Sequence, residues 1–244
     1  ITPPAGVTAL VGGFTAQLDD FLSSLLSGIP WAALLIVGVM FVLLFLMLGS
    51  VVVPFKAVLL NIVSLPASFG ALVWIFQDGN LHEWLGFTPL GSIDGTMPIL
   101  IFVIAFGLSM DYEVFLLSRV KEHYDQTGNT VEAVANGVQR TGGIITSAAL
   151  LLVVVIGAFA LGEVLFIKQI GTGLAIAIIV DATIVRMILV PATMRILGKW
   201  NWYAPKPLAR LYKRLGFSES EAPEGEVVVR QPLPAKSDNA QAGA

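Results

Sequence analysis

Apolar residues run almost unbroken along five stretches of the chain, and polar residues collect between them. Residues 30–48 carry no charge and are long enough for one membrane crossing, which takes about 20 apolar residues. Pro30 at its head suits a helix start, where the missing N–H has no intrahelical partner to lose. A turn at 49–54 leads to a second span over 54–76, with Lys56 at its start and Asn61 and Pro66 inside. Three more follow at 97–120, 142–161 and 170–197. Ahead of them, residues 1–29 mix Gly, Thr and Ser with two aspartates and set Phe14, Leu18, Phe21, Leu22 and Leu25 at helical spacing. That pattern predicts the end of an extracytoplasmic domain leading into the membrane. Between spans three and four the chain is charged, and Thr130 ahead of Val131, Val134 and Val138 predicts the cap of a short amphipathic helix near 130–141 lying at the interface. Residues 199–244 begin basic and aromatic and end rich in Pro, Glu and Ala, which predicts a largely disordered tail. The fold class that follows is an all-α membrane protein with a five-helix transmembrane domain over 30–198.

Composition agrees. With 56% hydrophobic and 13% charged residues and a mean hydropathy of +0.82, the chain is too apolar for a soluble domain of 244 residues. It has no cysteine, which excludes disulfides, zinc-thiolate sites and thiol nucleophiles. His82 and His123 fall in different loops, so neither a metal nor a cofactor is expected. The net charge of −3 gives no reason to expect a nucleic-acid partner. The chain begins at Ile1 with no basic leader, and it reads as the C-terminal part of a longer protein.

Charge bias orients the spans. With the C-terminus in the cytoplasm, Lys56, Arg119, Lys121, Arg140, Arg195, Lys199, Lys206, Arg210, Lys213 and Arg214 all fall inside, and Lys168 alone falls outside. Residues 1–29 and the loop 77–96 are then extracytoplasmic. Trp31, Trp74, Trp200, Trp202 and Tyr203 sit near span ends, as interfacial aromatics do.

Charges inside the spans carry the candidate chemistry. In the third span Asp111 lies about 21 Å from Met97 and about 12 Å from Arg119, within a hydrocarbon layer about 30 Å thick. A carboxylate there costs about 2.5–3.5 kcal/mol on insertion scales, so Asp111 needs a partner, water or a proton. Gly107, Asp111 and Ser118 form a small polar stripe that lets another helix approach. Tyr112 points about 100° away and can offer its hydroxyl to an acid on a neighbouring helix. Glu113 lies closer to the Arg119 end, within reach of the interface. In the fifth span Asp181 and Arg186 are five residues apart, about 140° round an α-helix, which is not ideal pairing geometry although their side chains can reach. Either a charge-balancing structural pair or an accessory role in ion movement fits. Gly171, Gly173 and Ala177 offer a small-residue packing face.

Several segments resemble the MMPL transporters of the RND superfamily in their C-terminal membrane half: GLSMDYEVFLLSR at 107–119, RTGGIITSAAL at 140–150, GAFAL at 157–161, VDATIVRMILVPATM at 180–194 and WNW at 200–202. The resemblance implies that the five spans are the last of about twelve, built as two related halves, as many transporters are. It implies a multi-pass protein of the bacterial plasma (inner) membrane that exports lipids or other hydrophobic molecules on the proton-motive force. Its partners would be protons, membrane lipids and the N-terminal half of the same transporter. It also implies that Asp111 and Tyr112 form one side of a proton relay facing an equivalent pair in that first half. A transporter is therefore expected rather than an enzyme. Two alternatives share parts of the pattern. A sterol-sensing or receptor-like protein of the same fold would not need the Asp-Tyr pair. An intramembrane aspartyl protease using Asp111 and Asp181 would need a shared proton, but neither aspartate sits in a GxGD segment and Arg186 holds Asp181 ionised.

The orientation is checked with single cysteines at Ser92 and Thr127 in this cysteine-free chain. An impermeant thiol reagent added outside intact cells is expected to label position 92 and leave 127 untouched; labelling at 127 overturns the topology.

Overall fold

The computed structural model describes residues 12–214, less the side chain of Lys213, and these are helical apart from short connections, with no strand among them. α1 (Phe14–Leu48) and α2 (Val52–Leu72, continuing as a π-helical turn Val73–Gln77) form an antiparallel pair. A short α3 (His82–Leu85) leads to α4 (Thr96–Thr127) and α5 (Thr130–Gly157). The last crossing is composite: α6 (Leu165–Val180), a π segment (Asp181–Leu189) and α7 (Val190–Leu197), with a 3-10 turn Gly198–Trp202 before the basic helix α8 (Lys206–Arg214). Five of these helical runs are long and apolar enough to cross a membrane.

Three local features differ from the sequence reading. α1 begins sixteen residues before Pro30, because the helical spacing of Phe14, Leu18, Phe21 and Leu25 carries the helix through the proline at the loss of one backbone bond. The amphipathic stretch near 130–141 is no separate helix but the first part of α5. Its cap is Asn129, not Thr130: the Asn129 side chain accepts from the N–H groups of Val131 at 3.1 Å and Glu132 at 3.4 Å, and Thr130 is already buried in the first turn. Gly128, at φ 66°, closes α4 through its N–H to Tyr124 O, so α4 and α5 are joined by two residues. The charged region between spans is thus mostly helix. At about 1.5 Å per residue each of these two helices runs well beyond a 30 Å hydrocarbon layer. The tail expected to be disordered falls largely on residues 215–244, outside the described residues.

The two ends of the bundle are pinned by polar contacts. At the end bearing Gly128, Ser50 donates to the Asn201 carbonyl, Val51 N–H donates to Tyr203 O at 3.1 Å, and Tyr124 stacks on Trp202 at 4.6 Å. At the end bearing Leu85, the buried Lys168 ammonium donates to the carbonyls of Leu85 and Gly86, where α3 leaves its last carbonyls open. Asp94 starts α4 by accepting from the Thr96 hydroxyl at 2.5 Å and its N–H at 2.8 Å, and these two bonds hold the Asp94 carboxyl below its usual range.

Between the ends, Leu44, Leu48, Val53, Met110, Leu117, Val185 and Met194 pack α1, α2, α4 and the last crossing together. Lipid tails are as apolar as these side chains, so close backbone approach carries much of the helix association. A Cβ on Gly171 would stand 2.8 Å from both Ile156 O and Ala160 N, backbone atoms that cannot step aside. One on Gly143 would meet nothing within 4 Å. Gly171→Ala is expected to lose about 1–3 kcal/mol of stability by overpacking, whereas Gly143→Ala is expected to hold or gain through helix propensity. Thermal unfolding of both variants in detergent checks the order.

Candidate functional site

α4 carries two polar faces. Phe106, Ser109, Met110, Glu113, Leu116, Leu117 and Val120 are buried, at the three- and four-residue spacing of a single stripe packed into the bundle. Asp111 lies about 200° from both Ser109 and Glu113, and its side chain is exposed on the outside of the bundle. Gly107, one turn away, is exposed too, with open space where a Cβ would be. Among the described residues no helix covers this outward stripe, and none offers Asp111 a hydrogen bond or ion pair. Tyr112, half-buried, turns the other way: the guanidinium carbon of Arg186 stands 5.2 Å from its ring centroid. The geometry supports a cation–π contact, worth about 2 kcal/mol or more where it is desolvated. Adjacent in the chain, Asp111 and Tyr112 thus face different surroundings, the carboxylate outward and the ring toward Arg186.

Asp181 and Arg186 do meet. Arg186 Nε donates to Asp181 Oδ2 at 2.7 Å, with both residues buried. The poor α-helical offset is resolved by the π segment, whose bonds run between residues five apart and so bring Asp181 and Arg186 toward one face. Arg186 Nη2 also donates to the carbonyl of Ser109 and approaches its hydroxyl at 3.2 Å. Ser109 Oγ lies 2.6 Å from Asp181 Oδ1 and 2.5 Å from the amide oxygen of Asn61. One hydroxyl proton cannot serve both acceptors, so with Asp181 ionised against Arg186 the proton goes to Asp181, and the Asn61 amide turned end for end completes the set with its NH2. The result is a polar chain from α2 through α4 to the last crossing. Ser109 and Asp181 line shallow hollows on either side, one bordered by Leu108 and Tyr112, the other by Asn61 and Ser64.

The sequence reading assigns Ser109 no part, places Asn61 simply within the second span, and sets Lys56 at a span start and Glu113 within reach of the interface. In the structure Lys56 is 5% exposed and Glu113 3%, both inside the bundle. The signal for Ser109 and Glu113 was present: they are one helical turn apart and fall in register with the large apolar residues of α4. For Lys56 no comparable signal exists, because a lysine four residues into a span equally well extends to the interface.

Comparison with known proteins gives a consistent result. Residues 1–234 match the MMPL family. A membrane protein of Streptomyces coelicolor is 51% identical over 213 residues, 87% of this chain and 30% of that protein. The trehalose monomycolate exporter MmpL3 of Mycobacterium tuberculosis is 43% identical over 226 residues, 92% of this chain and 24% of its own length. The mycolic acid-containing lipids exporter MmpL11 of Mycolicibacterium smegmatis is 42% identical over 217 residues, 89% and 22% respectively. The chain spans less than a third of the length of each.

Because Asp181 and Arg186 are buried and mutually bonded, removing one partner strands the other. Asp181→Asn and Arg186→Gln are each expected to cost about 3–5 kcal/mol, and the double variant less than their sum. A double-mutant cycle on unfolding in detergent measures this, and additive losses would refute direct pairing.

Proposed function

The chain belongs to the MMPL family, and we propose that it forms the C-terminal membrane part of a proton-driven exporter of lipids or other hydrophobic molecules in a bacterial plasma membrane. The observation that carries this reading is Asp111: a carboxylate in mid-span on the outer face of the bundle, beside an open glycine, with no hydrogen-bond or ion-pair partner among the described residues. Exposed to lipid it would cost about 2.5–3.5 kcal/mol. A preceding half of the transporter, with an acid and a phenol of its own, covers that stripe and turns the cost into a site. Asp111 then takes a proton from one side of the membrane and releases it to the other. Each charge crossing a 100 mV potential yields about 2.3 kcal/mol, enough to bias a conformational cycle. Tyr112 joins this site to the interior through its ring on Arg186.

In this reading Asp181 and Arg186 are structural charges that hold α4 against the last crossing, and they carry no proton of their own. The protein acts as a transporter, not an enzyme. Its substrate class follows from the relatives, whose names specify export of trehalose monomycolate and of mycolic acid-containing lipids. The C-terminus and the Gly128 end face the cytoplasm, and the Leu85 end faces outward, in line with the distribution of Lys and Arg.

The test is made in the intact transporter that carries this chain. Asp111→Asn keeps the size of the side chain but cannot release a proton; it is expected to leave membrane abundance unchanged and abolish proton-dependent lipid export. Tyr112→Phe is expected to impair export by the same amount or less. Retained export in Asp111→Asn at normal abundance overturns the proposal.

A further inference from the structure

Glu113 and Lys56 have no part in the relay described above, yet both are more than nine-tenths buried, on facing helices. Three of the buried polar atoms here lack a hydrogen-bond partner: Glu113 Oε1, Lys56 Nζ and Arg186 Nη1. The charges that act on Glu113 are those of Arg186 and Lys56, which attract it, and Asp181, which repels it. Asp111, on the same helix, points the opposite way. Opposite charges left bare at close quarters in a low-dielectric interior would ordinarily close into an ion pair. Here they do not: no nitrogen of Lys56 or Arg186 comes within 4.0 Å of the Glu113 carboxylate, whereas Arg186 and Asp181 close to 2.7 Å.

We propose that Glu113 is a second proton-carrying carboxyl of this chain, joined through internal water to Lys56 Nζ and Arg186 Nη1, and placed between the Asp181–Arg186 pair and the Gly128 end of the bundle. Water that donates to Glu113 Oε1 and accepts from Lys56 Nζ and Arg186 Nη1 is the arrangement that would leave none of these atoms bare. The placement also suits proton movement. A carboxylate clamped directly by a guanidinium is held ionised, but one separated from its cations by water is free to exchange. With Glu113 ionised, the charges of Lys56, Arg186, Asp181 and Glu113 sum to zero. When a carboxylate oxygen of Glu113 takes a proton from hydronium, one O–H bond forms on the carboxyl as one breaks on hydronium, which becomes water, and the sum becomes +1; the reverse transfer to water restores zero. The inference rests on reading the chain as part of a proton-driven transporter, but the protonation of Glu113 is measurable without transport.

The experiment is infrared difference spectroscopy of the intact protein in liposomes, stepped between high and low pH, reading the protonated-carboxyl band. One carboxyl component is expected to vanish in Glu113→Gln and to persist in Asp111→Asn. Lys56→Met is expected to leave that component in place but move its pH midpoint. Should Glu113→Gln fail to accumulate, Glu113→Asp serves instead: it keeps a carboxyl in a changed setting, and a component of altered frequency is expected. A carboxyl spectrum identical to wild type in Glu113→Gln or Glu113→Asp, or a midpoint that does not move in Lys56→Met, overturns the proposal. Retained export in Asp111→Asn removes the relay reading and leaves these bands untouched, so the two failures are distinct.

Discussion

The ion pair of Arg186 and Asp181, tied across to Ser109 on α4, sits at the middle of this bundle, and much of the surrounding structure accommodates it. Burying both groups costs several kcal/mol per ion, which only close geometry and additional hydrogen bonds offset. Both are present: the 2.7 Å pair, the Ser109 carbonyl under Nη2, and the Ser109 hydroxyl against Asp181. The π segment is the backbone's part in this arrangement. An α-helix would set the two residues about 140° apart, and the wider turn brings them to one side. In a medium where apolar packing gives helices little reason to associate, such a polar tie specifies which helices neighbour one another. Asn61, Ser109 and Asp181 do this for α2, α4 and the last crossing.

α4 consequently serves two environments. Its inward stripe runs from Phe106 to Val120 and contributes Ser109 and Glu113 to the charged interior. Its outward stripe presents Gly107 and Asp111 to whatever lies beyond the bundle. Tyr112 sits between them, with its ring on Arg186. A single side chain, Tyr112, thus separates the outer face that carries Asp111 from the interior ion pair. The pins at the two ends, Ser50 with Asn201 and Lys168 with the carbonyls of Leu85 and Gly86, tie the first and last described crossings and the loop before α4 to the same frame.

Much was legible in the chain itself. Five apolar stretches, each of about 20 residues, specify five crossings whatever their packing, because in lipid only a helix satisfies its own backbone. The motif from Gly107 to Arg119 and the segment around Asp181 point to the family from residue identities alone. What the linear order could not decide was depth and direction. Whether Lys56 extends to an interface or turns inward depends on what α4 presents to it, and whether Asp111 or Glu113 is the enclosed acid depends on which side of α4 meets α2. The apolar register of Phe106, Met110, Leu117 and Val120 held the second answer but not the first. Local caps were ambiguous for a related reason: Asn129 and Thr130 are both good capping residues, and only the two-residue turn of Gly128 and Asn129 selects between them. The pairing of Asp181 with Arg186 likewise waited on the tertiary structure, since a π segment is a departure from α-helical bonding that no residue spacing announces and that the surrounding ties to Ser109 and Asn61 stabilise.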